Sequence, residues 1–210
     1  MKVKICGITR LEDALAAAAF GGDALGFIFA PGSPRRVSVE TVRRIVSALP
    51  PFVTTVGVFT EGTAMEIEKA VEESGVDMIQ FHGPFEEKTI HHFSHQAIQV
   101  VKVKDAASLE AVQPVPCRAV LLDTYHKKMA GGSGLSFDWA LARKAAGFGK
   151  IILAGGLTPE NVQEAVRQAH PYAVDVSSGV EAAKGKKDLG KMKRFIAAAK
   201  GTGDIGPSSE

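Results

Sequence analysis

The chain has 210 residues, of which 45% are apolar and 23% charged, with a formal net charge of +2 at pH 7. That length can bury one large core and is short for two enzyme domains, and the composition excludes a disordered, collagenous or membrane-embedded chain. Lys and Arg are scattered apart from two short clusters, Lys184 to Lys187 and Lys191 to Arg194, so nucleic acid is not an expected partner.

The opening MKVKICGITR turns polar too soon for a signal peptide. No apolar run approaches the roughly 20 residues of a membrane span. A cytoplasmic protein with no membrane association is expected. Its two cysteines, Cys6 and Cys117, lack CxxC or Cys/His metal spacing and read as free thiols in a reducing compartment.

In chain order, short Val/Ile/Leu/Phe-rich runs alternate with segments of helical apolar spacing. Strand Val3–Cys6 precedes helix Leu11–Phe20, and strand Ala24–Phe29 precedes helix Val39–Ala48. Strand Thr54–Phe59 then leads to helix Ala64–Ser74, and strand Met78–His82 to helix Phe85–Phe93. Strand Ile98–Val103 is followed by the weakest helix, Ser108–Val112, and strand Ala119–Asp123 by helix Phe137–Ala146. Strand Ile151–Ala154 leads to helix Pro159–Gln168, whose start is marked by Thr158 before Pro159 and by Glu160 at the positive helix end. Strand Ala173–Ser177 and helix Asp188–Ala199 complete the series.

Such units form either a closed barrel or an open doubly wound sheet, since both bury continuous apolar strands between layers. The count of eight, and the lack of a GxGxxG or GxxxxGK[ST] loop after the first strand, favour an α/β fold made of a single (β/α)8 TIM barrel. The barrel spans 1–200, and 201–210 reads as a loose C-terminal tail.

In that fold the active site lies at the C-terminal ends of the strands. Strand alternation puts Lys4 with Cys6, Gln80 with His82, Leu121 with Asp123, and Asp175 with Ser177 on common faces. Singly, a Cys is usually a small hydrophobe and a strand-end Asp a cap. Together, a thiol, a carboxyl and an imidazole facing one pocket supply an acid and a base, which points to proton transfer. Small residues after strands seven and eight, Ala154–Leu157 and Ser177–Val180, mark a phosphate site in preference to mere turns. In Pro31-Gly32-Ser33-Pro34-Arg35-Arg36, Arg35 is read as a substrate contact able to hold a carboxylate, and Arg36 as a solvated charge. His91, His92 and His95 include an i, i+4 pair, but nothing nearby completes a ligand set, so no metal is expected. Trp139 and Phe137 read as a packed anchor behind Gly131–Gly134, a loop able to close over a ligand.

The chain resembles phosphoribosylanthranilate isomerases in Lys4-Ile5-Cys6-Gly7-Ile8-Thr9, Ser33-Pro34-Arg35, Gln80-Phe81-His82-Gly83, Leu121-Leu122-Asp123-Thr124 and Gly155-Gly156-Leu157. The likeness extends through Val174-Asp175-Val176-Ser177-Ser178-Gly179-Val180-Glu181 and runs from Lys2 to about residue 200. It implies an Amadori rearrangement of a phosphorylated small molecule in tryptophan biosynthesis, with no cofactor or metal. It implies Asp123 as general acid and Cys6, as thiolate, as general base. Arg35 would hold the anthranilate carboxylate, while Gly155, Gly156, Ser178 and Gly179 would hold the phosphate. Gln80, His82 and Asp175 are candidate contacts to the substrate. A free thiol ionises near pH 8.5, so a cation should depress Cys6. Lys4 is one candidate, although a pairing of Lys4 with Asp175 is the favoured reading.

Two rival readings are a barrel that binds a sugar phosphate without turning it over, and the histidine-pathway aminoimidazole carboxamide ribotide isomerase. The latter should show two strand-end carboxylates and a half-barrel repeat, whereas the first strand here ends in Cys6. Monomer and homodimer both remain open.

Overall fold

The computed structural model describes residues 1–103, 107, 109, 116–124 and 139–202. Eight parallel strands close into a barrel in strict chain order, β1 through β8, with β8 returning to β1. They are β1 (Lys2–Cys6), β2 (Ala24–Ile28), β3 (Thr54–Phe59), β4 (Met78–Phe81), β5 (Ala97–Val103), β6 (Ala119–Thr124), β7 (Ile151–Ala154) and β8 (Ala173–Val176). The closed (β/α)8 barrel expected from the strand count is thus the architecture found.

The two faces of each strand account for the two layers of core. Val3, Ile5, Leu25, Phe27, Val120, Leu122, Leu153 and Val174 point outward, are fully buried, and pack on the helices. Each such aliphatic side chain contributes about 1.5–3 kcal/mol by leaving water. The alternate residues point into the barrel, where Val56, Ile98, Ala119, Leu121, Ile152, Ala154 and Ala173 form a separate cluster.

The helices are α1 (Leu11–Ala19), α2 (Val39–Val46), α3 (Ala64–Ser74), α4 (Glu87–His92), α5 (Ala140–Lys144), α6 (Val162–Ala169) and α7 (Leu189–Lys200). Their starts follow local chemistry. Ser38 accepts from the Thr41 N–H, Thr63 and Glu66 form a reciprocal capping box, and Asp188 accepts from the Lys191 N–H. The sixth helix departs from expectation, beginning at Val162 and not at Pro159. The Asn161 side chain accepts from the Thr158 N–H at 2.8 Å, and Thr158 Oγ1 accepts from the Glu160 N–H. These side chains hold the segment in a turn that competes with the helix.

A short antiparallel hairpin, β9 (Glu181–Ala183) with β10 (Lys186–Lys187), follows β8 and was not legible as strand in the sequence. The expected fifth helix, Ser108–Val112, falls largely outside the described residues, as do Phe137, the Gly131–Gly134 loop and most of the 201–210 tail. Trp139 is buried in the core, as an anchor should be. No helix among the described residues is long and apolar enough to cross a membrane.

Candidate active site

The C-terminal mouth of the barrel holds a cavity of about 300 Å³. Cys6 from β1, Gln80 and His82 from the end of β4, Asp123 from β6 and Asp175 from β8 line it, together with Gly155, Gly156, Ser178 and Gly179. Nine of the ten residues selected from sequence therefore share one cavity. The tenth, Arg35, stands behind the end of β1.

Cys6 pairs in register with Gly26 of β2, and that glycine makes room for the chemistry. A Cβ on Gly26 would lie 2.8 Å from Cys6 Sγ and 3.1 Å from Lys4 Nζ. Lys4, one inward position deeper, donates to Asp175 Oδ1 at 2.9 Å, with both side chains nearly closed to solvent. The favoured Lys4–Asp175 pairing is present. Burial disfavours the Lys4 ammonium, yet Asp175 and Cys6 outweigh it and hold Lys4 above the usual lysine range. The expectation that a cation depresses the Cys6 thiol fails on balance. Burial pushes the thiol up, Lys4 and Lys187 pull it down, Asp175 pushes it up again, and the net result lies above the ordinary thiol value. Cys117, half-buried, is likewise a free thiol and donates to the Ala119 carbonyl.

Across the mouth, Asp123 Oδ2 lies 3.7 Å from His82 Nε2, with each side chain about a third exposed. Burial lowers the His82 pKa and Asp123 only partly restores it, so the imidazole is neutral at neutral pH. Gln80 Nε2 approaches His82 Nδ1 at 3.5 Å. That contact suits a tautomer with the proton on Nε2, facing Asp123. Among the described residues, the buried Gln80 Oε1 has no hydrogen-bond partner, which leaves an acceptor in the cavity wall.

Arg35 already has a carboxylate. Its Nε and Nη2 donate to Glu181 Oε1 and Oε2, both at 2.7 Å. Glu181 also accepts from Lys187 Nζ at 3.3 Å and from the Gly185 N–H at 3.3 Å. Burial works to raise Glu181, but Arg35 and Lys187 prevail and hold it below the usual carboxylate range. Sequence reading missed this trio. In the sequence Lys187 is only part of a short basic cluster, yet its side chain is wholly buried and donates to the Ser177 carbonyl at 3.1 Å. Arg36 is exposed, in keeping with a solvated charge.

The loops after β7 and β8, the two strands between Asp123 on β6 and Cys6 on β1, approach each other closely. A Cβ on Gly179 would collide with the Leu157 carbonyl oxygen, while Gly155 and Gly156 turn through φ of 89° and 64°. The Asn161 side-chain amide donates to the Gly156 carbonyl at 3.0 Å and fixes the first loop. Among the described residues no group of three or more His, Cys, Asp or Glu could hold a metal ion. His92 faces Glu68 at 3.8 Å instead.

The model of the N-(5'-phosphoribosyl)anthranilate (PRA) isomerase family matches residues 3–198. The chain belongs to this family.

A PRA isomerase from Geobacter sulfurreducens is 46% identical over 201 residues, covering 96% of this chain and 99% of that protein. The crystal structure of the isomerase from Thermotoga maritima superposes with a TM-score of 0.86 at 41% identity, covering 96% of this chain and 99% of that one. A phosphoribosyl anthranilate isomerase in complex with reduced 1-(o-carboxyphenylamino)-1-deoxyribulose 5-phosphate gives 0.84 at 39% identity over the same shares. Monomers made from the dimeric Thermotoga maritima enzyme give 0.82 at 37% identity, again over 96% and 99%. The stretch matched to PRA isomerases contains all the site residues described above, Glu181 and Lys187 included.

Proposed function

We propose that the protein catalyses the Amadori rearrangement of N-(5-phosphoribosyl)anthranilate to 1-(2-carboxyphenylamino)-1-deoxyribulose 5-phosphate in tryptophan biosynthesis, in the cytoplasm and without a cofactor. The observation that carries this reading is a thiol and a carboxyl on separate strands opening into one cavity that two glycine-rich loops suited to a phosphate also line.

The Asp123 carboxyl donates a proton to the ribose ring oxygen as the C1–O bond breaks, and the anilino nitrogen lone pair closes the C=N bond. Cys6 as thiolate removes the C2 proton, and the released electron pair forms C1=C2 and neutralises the nitrogen. The resulting enolamine passes its hydroxyl proton to solvent and gains one at C1, giving the ketone. The substrate gains and loses two protons, as an isomerisation demands, and exchange with solvent returns a proton to Asp123 and removes one from Cys6. The phosphate rests on the Gly155–Gly156 and Ser178–Gly179 loops, and the substrate carboxylate on Arg35. Gln80, His82 and Asp175 frame the sugar, with Asp175 acting through Lys4.

The test is to mix the protein with freshly prepared N-(5-phosphoribosyl)anthranilate and follow its anthranilate fluorescence. Loss of signal at a rate proportional to protein is expected. Binding without loss would instead favour a non-catalytic sugar-phosphate receptor.

The proposed assembly is a homodimer. Phe52, in the α2–β3 loop, is 96% exposed beside a second cavity of about 290 Å³ at the opposite, N-terminal mouth, where Tyr172 is half-exposed. An exposed aromatic beside a hollow is a surface suited to a second copy.

A further inference from the structure

The β9–β10 hairpin lies outside the barrel, yet its side chains reach the back of the active site. Glu181, at the start of β9, takes the side-on edge of the Arg35 guanidinium with both oxygens. Lys187, opposite it in register on β10, holds the same carboxylate from below. The hairpin is itself anchored to the β1–α1 loop and to α1. Thr9 donates to the Gly185 carbonyl, and buried Asp13 accepts from the Lys187 N–H at 3.0 Å. The Arg35 stem then crosses Gly7, where a Cβ would lie 2.7 Å from Cδ, so the guanidinium has little freedom left.

This grip has a directional consequence. With Nε and one Nη2 proton committed to Glu181, the Nη1 protons and the other Nη2 proton remain, and these form the end-on edge of the fork. That edge can take a second planar carboxylate in bidentate fashion. We infer that Glu181, braced by Lys187, is a positioning residue that sets the Arg35 fork for the substrate's aromatic carboxylate. The inference rests on the proposed isomerase reading and deepens it.

The balance of charge supports the arrangement, since Glu181 offsets one of the two positive charges that meet on it. Arg35 and Lys187 both bear on Cys6 electrostatically, so a carboxylate between them also limits the positive field at the thiol. Without Glu181, Lys187 would be a buried cation lacking its counter-ion, a costly state. The single substitution Glu181→Gln can therefore unfold the chain for reasons unrelated to Arg35. The double variant Glu181→Gln/Lys187→Met removes both charges and keeps side-chain volume close to the original.

The experiment measures binding by calorimetry of two ligands to the intact protein and to the double variant. One ligand is reduced 1-(2-carboxyphenylamino)-1-deoxyribulose 5-phosphate, and the other is its phenylamino analogue lacking the carboxylate. Unsubstituted protein should prefer the carboxylated ligand, and the double variant should lose about ten-fold in affinity for it while holding the analogue within about two-fold. Equal weakening of both ligands, or no change in either, overturns the positioning role. If the unsubstituted protein binds neither ligand, the isomerase reading itself fails and the inference falls with it. Equal binding of the two by unsubstituted protein retires Arg35 as the carboxylate reader.

Discussion

Cys6 sits where two opposing demands meet. It must ionise to act as a base, yet it is 6% exposed, and burial raises the thiol despite Lys4 and Lys187. A raised pKa means that the protonated form predominates at neutral pH, so the thiolate fraction grows as pH rises through the thiol's ionisation. In a Cys117→Ser variant, alkylation of Cys6 by iodoacetamide should therefore quicken from about pH 7 to beyond about pH 9. Mass spectrometry of the labelled peptide checks it, and a rate independent of pH across that range overturns the raised ionisation. Cys6→Ser and Asp123→Asn should each lower kcat by at least about a hundred-fold, as loss of a general acid or base does. Circular dichroism should show both folds unchanged, since neither side chain belongs to the hydrophobic clusters.

The element that decides the geometry behind Cys6 is the β9–β10 hairpin. It was illegible as strand because its alternation is too short to show a period, and because Lys184 to Lys187 reads along the chain only as a short basic cluster. Its seat depends on Asp13 of α1, only 2% exposed, whose Oδ2 accepts the Lys187 backbone N–H. Asp13→Ala leaves that buried donor unsatisfied and should cost about 1–3 kcal/mol, read as a lower urea midpoint. Amide exchange should quicken in 181–187 before it does in the barrel strands. Uniform quickening would mean that the hairpin is no separate unit. The start of α6 was misread for a related reason. Pro159 and Glu160 are good first-turn residues, but the Asn161 and Thr158 side chains satisfy the same backbone donors in a turn.

At the scale of the whole molecule, the two mouths of the barrel divide the work. The C-terminal mouth carries Cys6 and Asp123, and the N-terminal mouth carries the hollow beside Phe52. Phe52→Glu should convert the proposed dimer to a monomer in sedimentation velocity while leaving kcat within about two-fold, because the sites lie at opposite ends. An unsubstituted protein that sediments as a monomer ends the dimer reading. The barrel itself was legible. A two-residue period along each strand divided Val3 and Ile5 from Lys4 and Cys6, and closure of β8 onto β1 then set Lys4 opposite Asp175.

The sequence by itself determined the order of the strands, the face each presents, and nine residues of the pocket, because alternation and turn chemistry are carried by near neighbours in the chain. Only the tertiary structure decided the partner of Arg35, 146 positions away at Glu181, the burial of Lys187, and the ionisation of Cys6. Those depend on desolvation and on charges brought together by barrel closure, quantities that have no period along a chain.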